Sequence, residues 1–265
     1  MIHLMCGRLN QFEATPAIQA GGRRRPPKRR NTESETPTAQ EPRPIHNLCP
    51  TDMAQVLRLD EDGELTEEPM RFGLLPAWAR GDLAAVSRKF GHTFNARCES
   101  VFELASYKAA ILQRRALVPV RGWHEWPLTH QPYFIHRRDD QVLWLAAIWE
   151  CWHAPQTAGS ALPRPITSMS VITTAPGAYM AQFHDRSPLV LEDEQAWAWL
   201  QPGMNRAAIE AFFRPYDSPL LEAWRVGPAV ANPRNKGAEV WAPVATPVEH
   251  GAGPVLEDEI QLPLF

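Results

Sequence analysis

Apolar residues along this chain gather in short runs punctuated by glycine and proline. Five of these runs, Gln55–Leu59, Ala116–Val120, Tyr133–His136, Val142–Ala146 and Ser168–Thr174, have the length and β-branched or aromatic content of strands. Helical spacing of apolar positions is clearest over Val101–Arg114, entered after the acceptor side chains of Asn95 and Ser100. It recurs over Glu192–Leu200 and Arg206–Phe213. Strands and helices do not alternate regularly, which argues against a doubly wound parallel sheet. The pattern predicts a single compact α+β domain of mixed, mainly antiparallel sheet with flanking helices.

Two stretches stand outside this pattern. Residues 21–44, GGRRRPPKRRNTESETPTAQEPRP, are rich in arginine, proline and small polar residues and lack apolar periodicity, so a disordered surface insertion is expected there. Its basic half, Arg23 to Arg30, is read as a solvated charge run, with phosphate binding as the alternative. From Thr246 to Phe265 the chain reads as a loosely held C-terminal tail. The domain is therefore expected to occupy residues 1–245.

With 265 residues, 44% of them hydrophobic and 22% charged, the chain has ample material for a core. A formal net charge of -3 argues against coating nucleic acid by bulk electrostatics, so any such contact has to come from a local patch. The ten tryptophans either fill the core or, in part, face a ligand. Cysteines 6, 49, 98 and 151 show neither a CxxC pair nor zinc-finger spacing, which fits a reducing cytoplasm better than a disulfide framework. No apolar run reaches membrane-spanning length, and Met1–Leu4 is too short for a signal peptide. Glycine-rich phosphate loops, dinucleotide fingerprints and HExxH are missing, which weighs against a nucleotide cofactor or a zinc hydrolase. His124, His130 and His136 recur evenly, but on strand and turn segments this gives no common face, and packing is the expected role rather than metal ligation.

Five local clusters carry possible chemistry. Cys6 directly follows Met5; with a free α-amine beside its thiol it can close a ring on an aldehyde, whereas an ordinary internal cysteine is a small buried hydrophobe. In Phe94-Asn95-Ala96-Arg97-Cys98-Glu99-Ser100, residues two apart share a face if the segment is extended. Asn95 and Arg97 then serve one site, unless Asn95 is a turn or cap residue and Arg97 a surface cation. Glu125 stands between Trp123 and Trp126, neighbours that raise a carboxyl pKa and suit it to proton exchange. The alternatives are a solvent-facing or arginine-paired carboxylate. His184, in His184-Asp185-Arg186, is either a proton shuttle or a structural histidine. Trp78, after the proline-fixed turn of Pro76, packs in the core or stacks on a base.

Taken in order, Met5-Cys6-Gly7-Arg8, Asn47-x-x-Pro50, Arg71-x-Gly73-x-x-Pro76-x-Trp78, Asn95-Ala96-Arg97-x-Glu99, Gly122-Trp123-x-Glu125-Trp126, Thr173-Thr174 and His184-Asp185-Arg186-x-Pro188 resemble the SRAP family, the SOS response-associated, abasic-site-processing proteins. The resemblance spans roughly residues 5 to 240 without the Arg/Pro stretch. It implies a domain of curved β-sheets with a basic channel for single-stranded DNA or strand junctions. It also implies a covalent thiazolidine crosslink between an N-terminal cysteine and the ring-opened aldehyde of an abasic site. By position, Cys6 is the nucleophile, Asn95 steadies the reacting terminus, Glu125 transfers protons at the sugar, and His184 assists ring opening and crosslink reversal. Gly7, Arg8, Asn47, Pro50, Trp78, Arg97 and Arg186 are the implied DNA contacts. The resemblance further implies lyase and autopeptidase activity, no cofactor, no membrane partner, a monomer, and a cytoplasmic protein that joins the nucleoid when on DNA.

The chain departs from that pattern where Met1–Leu4 precede the usual start, so exposure of Cys6 requires initiation at Met5 or cleavage after it. His124 stands where an aromatic is usual, Arg121 where a small or acidic residue is, and Pro176 in place of a frequent asparagine. Two other functions compete: a cysteine peptidase or amidohydrolase using Cys6, and a non-catalytic module for single-stranded DNA.

Overall fold

The structure is a computed structural model that describes residues 7–29, 46–127, 131–155 and 164–248. In chain order its elements are β1 (Leu9–Asn10), β2 (Ile18–Ala20), β3 (Arg23–Arg25), β4 (Lys28–Arg29), β5 (Met53–Leu59), β6 (Leu65–Phe72), α1 (Leu83–Lys89), β7 (Asn95–Arg97), α2 (Lys108–Gln113) and β8 (Arg115–Val120). They continue as β9 (Gly122–Glu125), β10 (Tyr133–Arg137), β11 (Leu143–Trp152), β12 (Ile166–Thr174), β13 (Ser187–Pro188), β14 (Val190–Leu191), α3 (Asp193–Leu200), α4 (Arg206–Glu210) and β15 (Leu221–Arg225). The fold is the expected mixed α+β type.

One nine-stranded sheet dominates, and it curls back on itself. β12 pairs antiparallel with β11 and, through Ser168 and Met169, parallel with Arg71 and Phe72 of β6, so β6-β5-β8-β11-β12 close into a ring. Closure removes the open edges that an extended sheet would leave. The central strands are apolar on both faces. Ala116, Val118, Leu143, Leu145 and Ala147 turn toward one core cluster, while Leu117, Trp144, Ala146 and Ile148 turn toward a second. This is why β11 reads as an unbroken apolar run rather than an alternating one. A four-stranded sheet, β1-β9-β10-β15, covers the first cluster with Leu9, Trp123, Ile135 and Leu221. Helices α2, α3 and α4 cover the second with Ile111, Trp199 and Ile209.

Several elements differ from the sequence expectation. Only Lys108–Gln113 of the expected helix 101–114 is α-helical, because Ser100 to Tyr107 form successive turns instead. The basic stretch is ordered as far as Arg29, contrary to the expectation of disorder from residue 21. Gly21 and Gly22, at φ 59° and 66°, make a tight hairpin turn of the left-handed kind that joins β2 to β3, and β4 adds to β6. Three of its cations have local partners: Arg25 lies 4.0 Å over Trp197, Lys28 pairs with Glu64 at 2.7 Å, and Arg29 approaches Glu67 at 3.6 Å. Residues 30–44 lie outside the described residues. So do residues 249–265 of the expected tail, but its first part is docked. Val248 is buried, donates its N–H to the Ala223 carbonyl, and accepts from the Tyr179 hydroxyl at 2.8 Å.

Candidate functional site

The C-terminal end of β12 gathers two of the clusters singled out by sequence. β7 runs parallel to it, with Asn95 opposite Val171 and Arg97 opposite Thr173, and β13 runs antiparallel, with Pro188 opposite Thr173. Ala96 is fully buried in the helix-side core while Asn95 is half-buried and Arg97 exposed, so the amide and the guanidinium share the outward face. The Asn95 carbonyl accepts a hydrogen bond from the Tyr107 hydroxyl at 3.1 Å. His184 and Arg186 precede β13 on the other flank of the same strand end.

Glu125 comes from the covering sheet. It ends β9, pairs with Tyr133 of β10, and has 1% of its surface exposed. Tyr133 connects it to the other side: its ring lies 5.2 Å from that of Phe183, the residue before His184. Trp123, Tyr133 and Phe183 belong to the same core cluster, and Phe94, the residue before Asn95, packs against it. Each of Asn95, Glu125 and His184 is thus one or two positions from an aromatic anchored in that cluster. Packing of the aromatics brings together three segments that are far apart in sequence.

His184 is half-buried, and its ring has two neighbours at one nitrogen. The backbone N–H of Arg186 donates to Nδ1 at 3.1 Å, which leaves the proton of the neutral ring on Nε2. Asp185 Oδ1 lies 2.8 Å from Nδ1, placed to accept from the imidazolium. The neutral ring thus accepts from Arg186 N–H at Nδ1, and the charged ring has Asp185 as an acceptor there.

Arg186 is engaged within the protein. Its Nη1 and Nη2 donate to the two carboxylate oxygens of Glu99 at 2.5 and 2.8 Å, and Nη2 also donates to the Thr173 carbonyl at 2.9 Å. That guanidinium holds the Glu99 carboxyl below the usual carboxylate range. Arg97, by contrast, makes no ion pair among the described residues.

Trp78 lies at the rim. It is 48% exposed, packs edge-on against Phe90 at 5.5 Å, and donates Nε1–H to the Ala105 carbonyl at 3.1 Å. The turn before it is set by Gly73, at φ 110°, whose carbonyl accepts from Arg71 Nη1 at 2.6 Å. A Cβ there would be strained and would crowd that guanidinium. The adjoining Leu74 exchanges hydrogen bonds with Thr93, two residues from Asn95, which places the tryptophan on the Asn95 side.

The N-terminal strand is clamped beside this region. Leu9 and Leu48 exchange backbone hydrogen bonds, and the His124 N–H donates to the Arg8 carbonyl at 2.9 Å. The Arg8 side chain donates to Asn47 Oδ1 (3.1 Å), Cys49 Sγ (3.0 Å), and the carbonyls of Val230 and Ala231. Asn47 is fully buried, and its Nδ2 donates to the carbonyls of Val230, Asn232 and Asn235. This geometry corrects the expected DNA contact at Asn47: a side chain with no exposed surface ties the 46–50 loop to the 230–235 segment. Pro50 is half-buried and Gly7 buried. Burial of the Cys49 thiol pushes its pKa up, against the opposing pull of Arg8 and Lys236.

Cys6 and His130 lie outside the described residues. His124 and His136 pack as expected from their alternation with apolar residues. His124 is fully buried, with Nε2 2.9 Å from the Val240 carbonyl, and His136 stacks on Phe134. Sequence reasoning missed the partnership of Glu99 with Arg186. The available signal was spacing, since Asn95, Arg97 and Glu99 fall on alternate positions that share one side of an extended chain.

A curled sheet capped by a smaller one, with polar residues collected at the end of a shared strand, defines a known class of fold. Two solved structures share the fold: a Bacteroides thetaiotaomicron protein (TM-score 0.66, 21% identity, covering 76% of this chain and 86% of that one) and a Bordetella bronchiseptica protein (TM-score 0.65, 21% identity, covering 84% and 100%). The family model for the SOS response associated peptidase (SRAP) matches residues 5–233, and the chain belongs to that family. Among its relatives are the abasic site processing proteins YoqW of Bacillus subtilis, 28% identical over 74% of this chain and 85% of that protein, and YedK of Escherichia coli, 29% identical over 80% and 90%. The abasic site processing protein HMCES of Rattus norvegicus is 26% identical over 90% of this chain and 76% of its own length.

Proposed function

We propose that this protein captures abasic sites in single-stranded DNA or at strand junctions, joining Cys6 to the ring-opened sugar aldehyde as a thiazolidine. The observation that carries this reading is the β1–β9 register. Leu9 pairs with Trp123 and Asn10 with Gly122, and the ladder continues through the His124 N–H to the Arg8 carbonyl. One further step in that register sets residue 7 opposite Glu125. Cys6 is only two residues from the clamped Arg8, a reach of at most about 7 Å. That register, which would set Gly7 opposite the buried carboxyl of Glu125, supports pairing the residue before it with Glu125 in the reaction.

The chemistry balances without a cofactor. The α-amine of Cys6 adds to the aldehyde carbon, the carbinolamine loses water to give an imine, and the thiol adds across the C=N bond, moving its proton to nitrogen. One water leaves overall. Ordinary pKa values of about 7.7–8.0 for the amine and about 8.5 for the thiol leave useful fractions of neutral amine and thiolate near neutral pH. Glu125, shielded from bulk water, exchanges protons at the carbinolamine and the sugar hydroxyl, and His184 serves sugar opening and reversal. Asn95 steadies the amine. Arg97 meets the phosphate backbone, and Trp78, anchored by its indole N–H with much of its face exposed, stacks on a base at the rim. Arg8 and Asn47 act by holding the N-terminal strand.

Cys6 becomes terminal through a start at Met5 or through self-cleavage in which Glu125 and His184 take part. Strand cleavage from the imine gives the lyase activity. The protein starting at Cys6 is expected to give a heat-stable shifted band with an abasic oligonucleotide, and Cys6→Ala none. Equal crosslinking by the alanine variant rules the mechanism out. Loss of residues 1–5 from the full-length chain, seen by intact mass and dependent on Glu125 or His184, separates self-cleavage from initiation at Met5.

A further inference from the structure

The β2–β3 hairpin fixes arginines that the reaction at Cys6 leaves unused. Ile18 and Ala20 of β2 are buried in the same core cluster as Ala196 and Trp199 of α3, the Gly21 N–H donates to Glu194 Oε1 at 2.8 Å, and Arg25 lies over Trp197. These contacts with one helix hold the hairpin, and the left-handed Gly21-Gly22 turn sets its tip. Arg24 stands opposite Gln19, both of them exposed, and Arg23 is exposed beside the turn. Lys28 and Arg29 have acidic partners and Arg25 an aromatic one, whereas Arg23 and Arg24 make no ion pair among the described residues. An unstructured charge run offers its cations at no fixed place; here two guanidiniums are held out at one.

We propose that Arg23 and Arg24 form a second nucleic-acid contact, which takes the phosphate backbone of the strand some way from the lesion. The proposal rests on the DNA substrate of the capture reading. The planar fork of arginine matches a pair of phosphate oxygens, and each phosphate neutralised releases counterions from the strand. Glu194, where the tip docks, follows His184 by ten residues, so the two lie at most about 36 Å apart. With one charge per about 3.4 Å along a strand, about eleven nucleotides cover that span. A formal net charge of -3 gives no general attraction, so a fixed pair of cations outside the reacting site decides where the flanking strand runs. The competing role for the two arginines is to keep β3, an edge of the two-stranded sheet, from pairing with another chain.

The test measures binding of undamaged single-stranded DNA of about five and about thirty nucleotides, across a range of salt concentrations. The protein starting at Cys6 is compared with two paired variants, Arg23→Gln with Arg24→Gln and Arg23→Lys with Arg24→Lys. On the long strand the glutamine pair should bind on the order of tenfold more weakly at about 0.1 M salt, with a salt slope flatter by about 1.4, the share of two single-strand phosphates. On the short strand it should match wild type. The lysine pair keeps the charge and should keep most of the slope. Both variants should melt with the wild type, since the substituted side chains are exposed. Wild-type affinity and slope on the long strand in the glutamine pair would overturn the second contact. Self-association as the only effect would do the same and assign the arginines to guarding β3. An equal loss on the short strand would also overturn it, by moving the effect to the reacting site. The capture reading is scored apart, by the crosslink to an abasic oligonucleotide: wild-type protein that binds the long strand through the hairpin and forms no crosslink loses that reading alone, and wild-type protein that binds neither strand loses both.

Discussion

In the proposed reaction Glu125 exchanges protons, and substitution tests that role. Glu125→Gln keeps the shape of a nearly buried side chain and removes its exchangeable proton, so crosslinking at pH 7 should slow by about 10²–10⁴-fold while the protein melts as before. Crosslinking at the wild-type rate would remove Glu125 from the chemistry. His124 tests burial instead. Desolvation pushes its pKa down to about 3, so between that value and the ordinary 6.5 the unfolded chain binds a proton that the folded chain does not. Its contribution is fully present above about pH 6.5 and is lost as pH falls toward 3, reaching about 2 kcal/mol by pH 5. His46 and His136 are lowered by burial in the same direction. Urea unfolding at pH 7 and pH 5 should show a clear loss of stability in the wild type and a smaller one in His124→Phe. An equal loss in both would mean that His124 is not what senses the acid.

At the scale of elements, the covering sheet depends on one close approach. Gly122 in β9 lies so near β10 that an added Cβ would sit 2.2 Å from the Ile135 carbonyl oxygen and 2.6 Å from the Phe134 ring. Gly122→Ala should therefore cost about 1–3 kcal/mol in denaturant unfolding, through a shift of β9 against β10. A neutral substitution would contradict this packing. Which elements were legible in the sequence follows from the same physics. β5, β8, β10, β11 and β12 show because one or both of their faces are apolar. β6 hides because Leu65–Phe72 carries Thr66, Glu67, Glu68 and Pro69. These charges look solvent-facing, yet Glu67 accepts from the Thr15 hydroxyl at 2.6 Å and Glu68 pairs with Arg58. β3 and β4 hide because arginine and lysine side chains disguise a hairpin that only the Gly21-Gly22 pair betrays. For the site, spacing alone put Asn95 and Arg97 on one face. That the segments carrying Asn95, Glu125 and His184 share one core cluster depends on long-range packing of Phe94, Tyr133 and Phe183, which no local pattern encodes.

Over the whole molecule, a formal net charge of -3 means that nucleic acid has to be met by a few placed cations rather than by a basic surface. Within the basic stretch that stands out in sequence, Arg25, Lys28 and Arg29 have partners inside the protein in Trp197, Glu64 and Glu67. Among the described residues no helix is long and apolar enough to cross a membrane. The ring of five strands fixes where the end of β12 lies, and the covering sheet holds the N-terminal strand β1 against β9, which ends at Glu125. Aldehyde capture by a terminal aminothiol is the function this layout supports.

The most direct measurement is the intact mass of the product formed by the protein starting at Cys6 with an oligonucleotide containing one abasic site. A thiazolidine requires the sum of the two masses less one water, with the modification located on Cys6 by fragmentation and absent from Cys6→Ala. An adduct on a lysine, an adduct that survives Cys6→Ala, or no adduct at all would contradict the account.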